Sequence, residues 1–197
     1  MSLEAVLLRH RILLIMEPLS PETARQVIGA LLLLDAEDPD EPIELFLNSP
    51  GGTVSDVLAI IDTIRWITAP VATVALGQVA GMATWLLAAG RPGLRVATSH
   101  AQIVLSSPPL EGVKGPGTDL ECYARHVASL QEQLLKLLAE WTGRTLSQLE
   151  RDIERPCFLS AQEALQYGLV DRVLYPPTWE EKAQHFQLDQ SGIPVVF

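Results

Sequence analysis

FLNSPGGTVSDVLAIIDTIRWI, residues 46–67, runs from an apolar stretch through a tight turn into a helical period. The strand is Ile43–Leu47, and Asn48-Ser49-Pro50-Gly51-Gly52 closes it with turn formers. Val54, Val57, Leu58, Ile61 and Ile64 then recur on one face of a helix over 54–67. A strand turning directly into an amphipathic helix is the repeating step of an α/β fold. The same step recurs on both sides. Upstream, Leu13–Met16 reads as a strand, and Ser20-Pro21-Glu22 opens a helix to about Asp35 with a cap, a first-turn proline and an acid at the positive pole. Asp38-Pro39-Asp40 is the turn that follows.

Downstream, Val71–Leu76 is a strand, and Gly77-Gln78-Val79-Ala80-Gly81-Met82-Ala83 is expected to turn it into a helix over Met82–Ala89, stopped by Gly90. Short strands near Leu94–Ala97 and Ile103–Leu105 lead to a Gly- and Pro-rich loop over 108–117. A long helix from Thr118 to about Trp141 carries an apolar stripe of Val127, Leu130, Leu134, Leu137 and Leu138. It measures roughly 35 Å at 1.5 Å per residue, and the stripe is expected to be partly exposed on an isolated chain. Thr145-Leu146-Ser147-Gln148 and Ser160-Ala161-Gln162-Glu163 fit capping boxes, and Gly168 fits a helix stop. Val170–Leu174 is the last strand. Pro176-Pro177 then divides a domain over 1–176 from a C-terminal tail over 177–197.

Composition narrows the function. The chain has 197 residues, 48% of them hydrophobic, which is enough for a core without metals or disulfides. Against 14 Lys and Arg stand 24 Asp and Glu, a formal charge of −10, which argues against nucleic acid and anionic membrane surfaces as partners. Cys122 and Cys157 lack metal-site spacing and read as small packing residues. Arg9, His10 and Arg11 interrupt the N-terminal apolar run, and no stretch reaches the ~20 residues of a membrane span. A cytoplasmic chain without cofactors is expected.

The two glycine turns place backbone N–H groups at helix starts, where they can hold a developing oxyanion. Ordinary turn chemistry accounts for the same glycines equally well. The wider pattern is more specific. LLRHRI at 7–12, the quoted stretch at 46–67, GQVAGMATWLLAAGRPGLR at 77–95, TDLECYARHV at 118–127 and TGRTLSQLERDIERPCFLSAQEALQYGLVDRVL at 142–174 resemble, in order and nearly without gaps, the proteolytic subunit of the Clp protease. That family comprises serine peptidases. The resemblance implies an α/β, crotonase-like (Clp protease) fold of repeated β-β-α units with a projecting long handle helix.

The triad of that family does not carry over. Its serine lies in a GQxASM stretch, where this chain has Gly81. Its histidine position, 25 residues on, holds Ser106, and its aspartate position, two residues before FLSA, holds Pro156. Losing one essential triad member costs about 10⁶ in turnover, and losing all three costs little more. By resemblance the oxyanion-hole donors are the N–H groups of Gly52 and Met82, and the hole is retained. A groove without a nucleophile could still hold peptide. Glu44 and Phe46 occupy the ATPase-docking socket, where the family carries aromatics, and a carboxylate there is costly to desolvate. Only Met1–Val6 precede LLRHRI, where the family has a gate segment, and one residue near Pro109 looks inserted before Gly112. Both Glu44 and the short lead weaken the case for an AAA+ unfoldase partner.

The expected protein is therefore a catalytically inactive Clp-type subunit, similar to the ClpR class. It would form heptameric rings alone or with active Clp paralogues. Leu130, Leu134, Leu137 and Leu138 would pack the ring-to-ring handle, within or across subunits. Two alternatives stand beside it. One is a weak serine peptidase with a relocated nucleophile, drawing on Ser106, Ser107, His100, His126 or Asp152. The other is a crotonase-like acyl-CoA enzyme, for which no acidic pair beside the hole and no basic cluster is found.

Overall fold

The computed structural model describes residues 2–108, 117–176, 187–188 and 194–195. Strands β1 (Ile12–Ile15), β2 (Ile43–Ser49), β3 (Val71–Ala80), β4 (Arg95–Thr98) and β7 (Arg172–Leu174) lie side by side in the order β1-β2-β3-β4-β7, all parallel. β5 (Gln102–Leu105) pairs in parallel with the far half of β3, and β6 (Cys157–Ser160) pairs antiparallel with β5. Helices α2 (Pro21–Glu37), α3 (Val54–Trp66) and α4 (Met82–Ala88) make the crossovers between the first four strands. Helices α5 (Gly117–Thr142), α6 (Leu146–Ile153) and α7 (Ala161–Tyr167) follow β5. This is the α/β architecture that the alternation predicts. A short β8 (Gln187–Leu188) pairs antiparallel with β9 (Pro194–Val195), and the rest of the expected tail, with the loop around Pro109–Gly112, lies outside the described residues.

The caps behave as their chemistry requires. Ser20 Oγ accepts the Thr23 N–H at 3.2 Å with Pro21 in the first turn. Thr145 and Ser160 each complete a capping box, and Gly168 ends α7 in the left-handed conformation. One expected element differs, and two elements are additional. A helix α1 (Leu3–Arg9), capped by Ser2, occupies the N-terminal segment, where the interruption by charged residues masks a helical period. β3 does not turn at Gly77 but continues to Ala80. Gly77, at φ +54, bends the strand so that its first half pairs with β4 and its second half with β5. β6 is a further strand whose residues alternate between half-buried and exposed, a pattern too short to stand out in the sequence.

The core lies between one face of the sheet and helices α2, α3 and α4, where Ile15, Ile43, Leu45, Leu47, Ile60 and Ile61 are fully buried. Every residue of α4 is buried, as expected of a helix apolar on all sides. The stripe on α5 is divided between the subunit's own core and its surface. Leu134 and Leu138 are buried in the protomer's own core, together with Leu135, while Leu130 and Leu137 are half-buried. The Trp85 indole N–H donates to the Leu134 carbonyl at 3.0 Å and fastens α5 to α4. The stripe therefore has a local occupant over its last turns. Among the described residues of α5, the stretch from Cys122 to Ser129 is largely exposed.

Two polar joints lock the ends of the elements. Arg11, at φ +60, donates to the carbonyls of Leu34, Asp38, Glu41 and Pro42, closing the C-terminus of α2 against β2. Arg95 forms an ion pair with Asp171 and donates to the carbonyls of Trp141 and Gly168 at 3.0 Å, joining β4 to the ends of α5 and α7. Burial alone would raise the Asp171 carboxyl. The Arg95 guanidinium and the N–H groups of Arg95 and Gly93 outweigh that and hold it below the ordinary carboxylate range. A carboxyl depressed in the folded state stabilises the fold above its unfolded value near 3.9, and that stabilisation is lost as pH falls through the folded value. Asp171→Asn is expected to lower stability by about 3 kcal/mol at pH 7, since Arg95 would remain buried without its counter-charge. The deficit should shrink below about pH 4. Urea unfolding at pH 7 and pH 3 checks both values.

Candidate functional site

Backbone register collects the three residues at issue. Ala80 on β3 is opposite Val104 on β5, so Gly81 and Ser106 leave the sheet at the same edge. Leu105 is opposite Cys157 on β6, so one further step along that pair brings Ser106 beside Pro156. Gly81, Ser106 and Pro156 thus share one corner at the carboxyl ends of parallel strands, the usual place for a site in such sheets. Ser106 is half-buried and Pro156 exposed. Thr84, fully buried, donates to the Val104 carbonyl at 3.0 Å and holds α4 against β5 beneath the corner.

Gly81 has φ 53° and ψ −134° at the step from β3 into α4. An L residue pays about 1–3 kcal/mol of strain in such a region. Sharp strand-to-helix turns of this kind present nucleophilic serines in other hydrolases. Here the turn has its shape but no side chain. The Met82 N–H, in the first turn of α4, has no acceptor within its own helix. The Gly51–Gly52 turn packs directly against it: a Cβ on Gly51 would stand 2.8 Å from the Met82 nitrogen. The Leu19 N–H donates to the Gly51 carbonyl at 2.8 Å and Ser49 Oγ accepts the Gly51 N–H at 3.2 Å, which fixes the turn. Gly52 and Met82 therefore lie on the two segments that border the corner.

Of the groups named for a relocated triad, His100 and Asp152 have other partners. His100 lies at the opposite end of β5 from Ser106 and meets Ser99 Oγ through Nδ1 at 3.2 Å. Asp152 accepts the Tyr167 hydroxyl at 2.7 Å, and the Arg144 guanidinium lies 3.7 Å from the centroid of the Tyr167 ring. Burial, reinforced by Asp152, pushes the Tyr167 hydroxyl far above the ordinary phenol range. Cys157 adjoins Pro156, but burial and the charges of Asp152 and Glu163 push its thiol up, away from the reactive thiolate. Among the described residues no group of His, Cys, Asp and Glu is placed to hold a metal ion, and no helix is long and apolar enough to cross a membrane.

Glu44 and Phe46 point to the same face of β2, away from the core side, with Leu14 of β1 opposite Phe46. Glu44 is exposed and Phe46 half-buried. A cleft of about 610 Å³ lies between the Gly51–Ser55 segment and the projecting half of α5, with Tyr123, His126, Val127 and Leu130 on the helix side. Their spacing of three, four and seven residues marks a single helix face. That spacing was available in the sequence, although only Val127 and Leu130 register as apolar. Compared with known protein families, residues 1–177 match the family model described as Clp protease.

Proposed function

Because the chain belongs to the Clp protease family, we propose that it is a ring-forming Clp-type subunit that does not itself cleave peptide bonds. The carrying observation is Gly81, which occupies a strand-to-helix turn unfavourable for an L residue and offers no nucleophilic side chain, with Ser106 and Pro156 at the same corner. A residual oxyanion hole would supply about 10³-fold over water, too little for an amide bond. Residues 1–176 form the Clp-like domain in this proposal, and 177–197 an appended tail. Its partners in this proposal are further copies in heptameric rings, active Clp paralogues, or both. The role is then structural or regulatory. Acyl-CoA chemistry is not favoured by the family assignment.

Exposed apolar side chains support association. Trp66 is 86% exposed, Phe158 68%, and Leu14, Met16, Leu32 and Leu33 are nearly half exposed. A monomer that kept all of them in water would be prone to associate, and a closed ring removes that liability. The expected result in sedimentation velocity is a particle of about seven or fourteen subunits, unlabelled by a serine-directed fluorophosphonate. A monomer at micromolar concentration would remove the ring, and a labelled serine would remove the inactive site.

A further inference from the structure

We propose that the C-terminal tail, residues 177–197, folds back over its own subunit and packs apolar side chains on the face of the main sheet turned away from α2, α3 and α4, which closes that face to other partners. Such packing does not depend on whether the corner at Gly81 cleaves peptide. The Thr73 hydroxyl donates to the Leu87 carbonyl of α4 at 2.7 Å, so Val74 and Leu76 point to the opposite face of β3. Strand register extends that face. Phe46 is opposite Val74, Val74 opposite Val96, and Val96 opposite Arg172, while Leu174 sits two residues beyond Arg172. Phe46, Val74 and Val96 thus make an apolar row across three strands, with Leu76 and Leu174 beside it. Val74 and Val96 are 7% and 4% exposed although neither belongs to the cluster under α2, α3 and α4, and Leu174 is 48% exposed near the end of the row. Parallel sheets are covered on both faces, and those three helices cover one.

The tail leaves the sheet after Leu174, at the edge of this face. β7 lies three strands from β2, a distance of about 14 Å. The ten residues from Pro177 to Phe186 can span up to about 33 Å. Beyond them β8 and β9 pair antiparallel, with Leu188 opposite Pro194, in a two-stranded sheet separate from the main one. A two-stranded hairpin is marginal in water until an apolar surface receives it. Phe186, Leu188, Ile193, Val195, Val196 and Phe197 supply apolar side chains for that contact. The charges run in matching order. Arg172 stands at the near end of the face and Glu44, beside Phe46, at the far end, and among the described residues neither is in an ion pair. Along the tail Glu180 and Glu181 come first, and Lys182 and His185 follow. Residues 178–197 lie beyond the family match.

The test uses the full-length chain with Cys122→Ser and Cys157→Ala and one cysteine added to the tail by Gln187→Cys. A second is added by Glu44→Cys on the proposed seat or by Asp62→Cys on α3, both exposed positions. A short bismaleimide then links thiols within its reach. With the native tail, Gln187→Cys should link to Glu44→Cys within one chain at least about tenfold faster than to Asp62→Cys, since a seated tail raises the local thiol concentration. Phe186→Asp with Leu188→Asp should remove that advantage. Links between two chains, which would place the tail on a second copy, would overturn the proposal. So would equal rates at the two positions, no link at either, or an advantage that survives the two aspartates. A chain without added cysteines gives an independent readout. There the two aspartates should raise the fluorescence of a dye that reports exposed apolar surface, and unchanged fluorescence would overturn the proposal as well.

Discussion

Leu134→Glu is expected to unfold the protomer, with a loss of at least about 4 kcal/mol, and not merely to divide an assembly. Leu134 is 1% exposed, inside a core that includes Leu135 and Leu138, and its carbonyl receives the Trp85 indole. A carboxylate there has no counter-charge, so it must desolvate unpaired or drag α5 off α4. Leu134→Ala, which only leaves a cavity, should cost about 3 kcal/mol. Leu130→Glu provides the contrast. Leu130 is half-buried where α5 begins to project, so its carboxylate can reach water and the fold should survive. Urea unfolding followed by circular dichroism separates the three variants. A folded, cooperative Leu134→Glu protomer would show that the last turns of α5 are not part of the subunit's own core.

The second large effect is a gain. Gly81→Ser with Ser106→His and Pro156→Asp should bring measurable turnover of short peptides from a blank background, because β3, β5 and β6 already hold these positions at one corner. Recovery should be partial. A Cβ on Gly81 would stand 3.0 Å from the Pro50 carbonyl oxygen, and the turn is unfavourable for any L residue. Misplacement of the new serine by ~1 Å can cost about 10² in rate. Gly81→Ser alone should add nothing measurable, since His100 is at the far end of β5 and Asp152 is engaged by Tyr167. Activity from the single change would reveal a base that the corner has not been credited with.

Much of the fold is legible in residue patterns because local chemistry and packing agree there. Ile43–Leu47 followed by a Pro-Gly-Gly turn and an apolar period leaves few alternatives to strand and helix, and Thr145, Ser160 and Gly168 mark the ends of α6 and α7 by capping alone. Legibility fails where a tertiary neighbour decides. Gly77 looks like a strand end, yet β5 recruits the residues beyond it into β3. The stripe on α5 looks like an assembly surface, yet α4 and α6 supply its last turns with a partner inside the subunit, which no helical period can disclose. At the candidate site, the resemblance to the Clp family's motifs picks out Gly81, Ser106 and Pro156, whereas their meeting at one corner depends on strand register. The cleft beside His126 escaped notice because its two walls, Gly51–Ser55 and Tyr123–Leu130, are some seventy residues apart in the chain.

The most direct measurement is turnover of a short fluorogenic peptide by the purified wild-type chain, free of other Clp subunits, with the triple-substituted chain in parallel. A corner with Gly81, Ser106 and Pro156 in place of nucleophile, base and orienting carboxylate should leave the wild-type rate at the level of buffer while the substituted chain rises above it. Robust wild-type turnover that a serine-directed inhibitor abolishes would contradict this, because it would require a working nucleophile elsewhere in the chain.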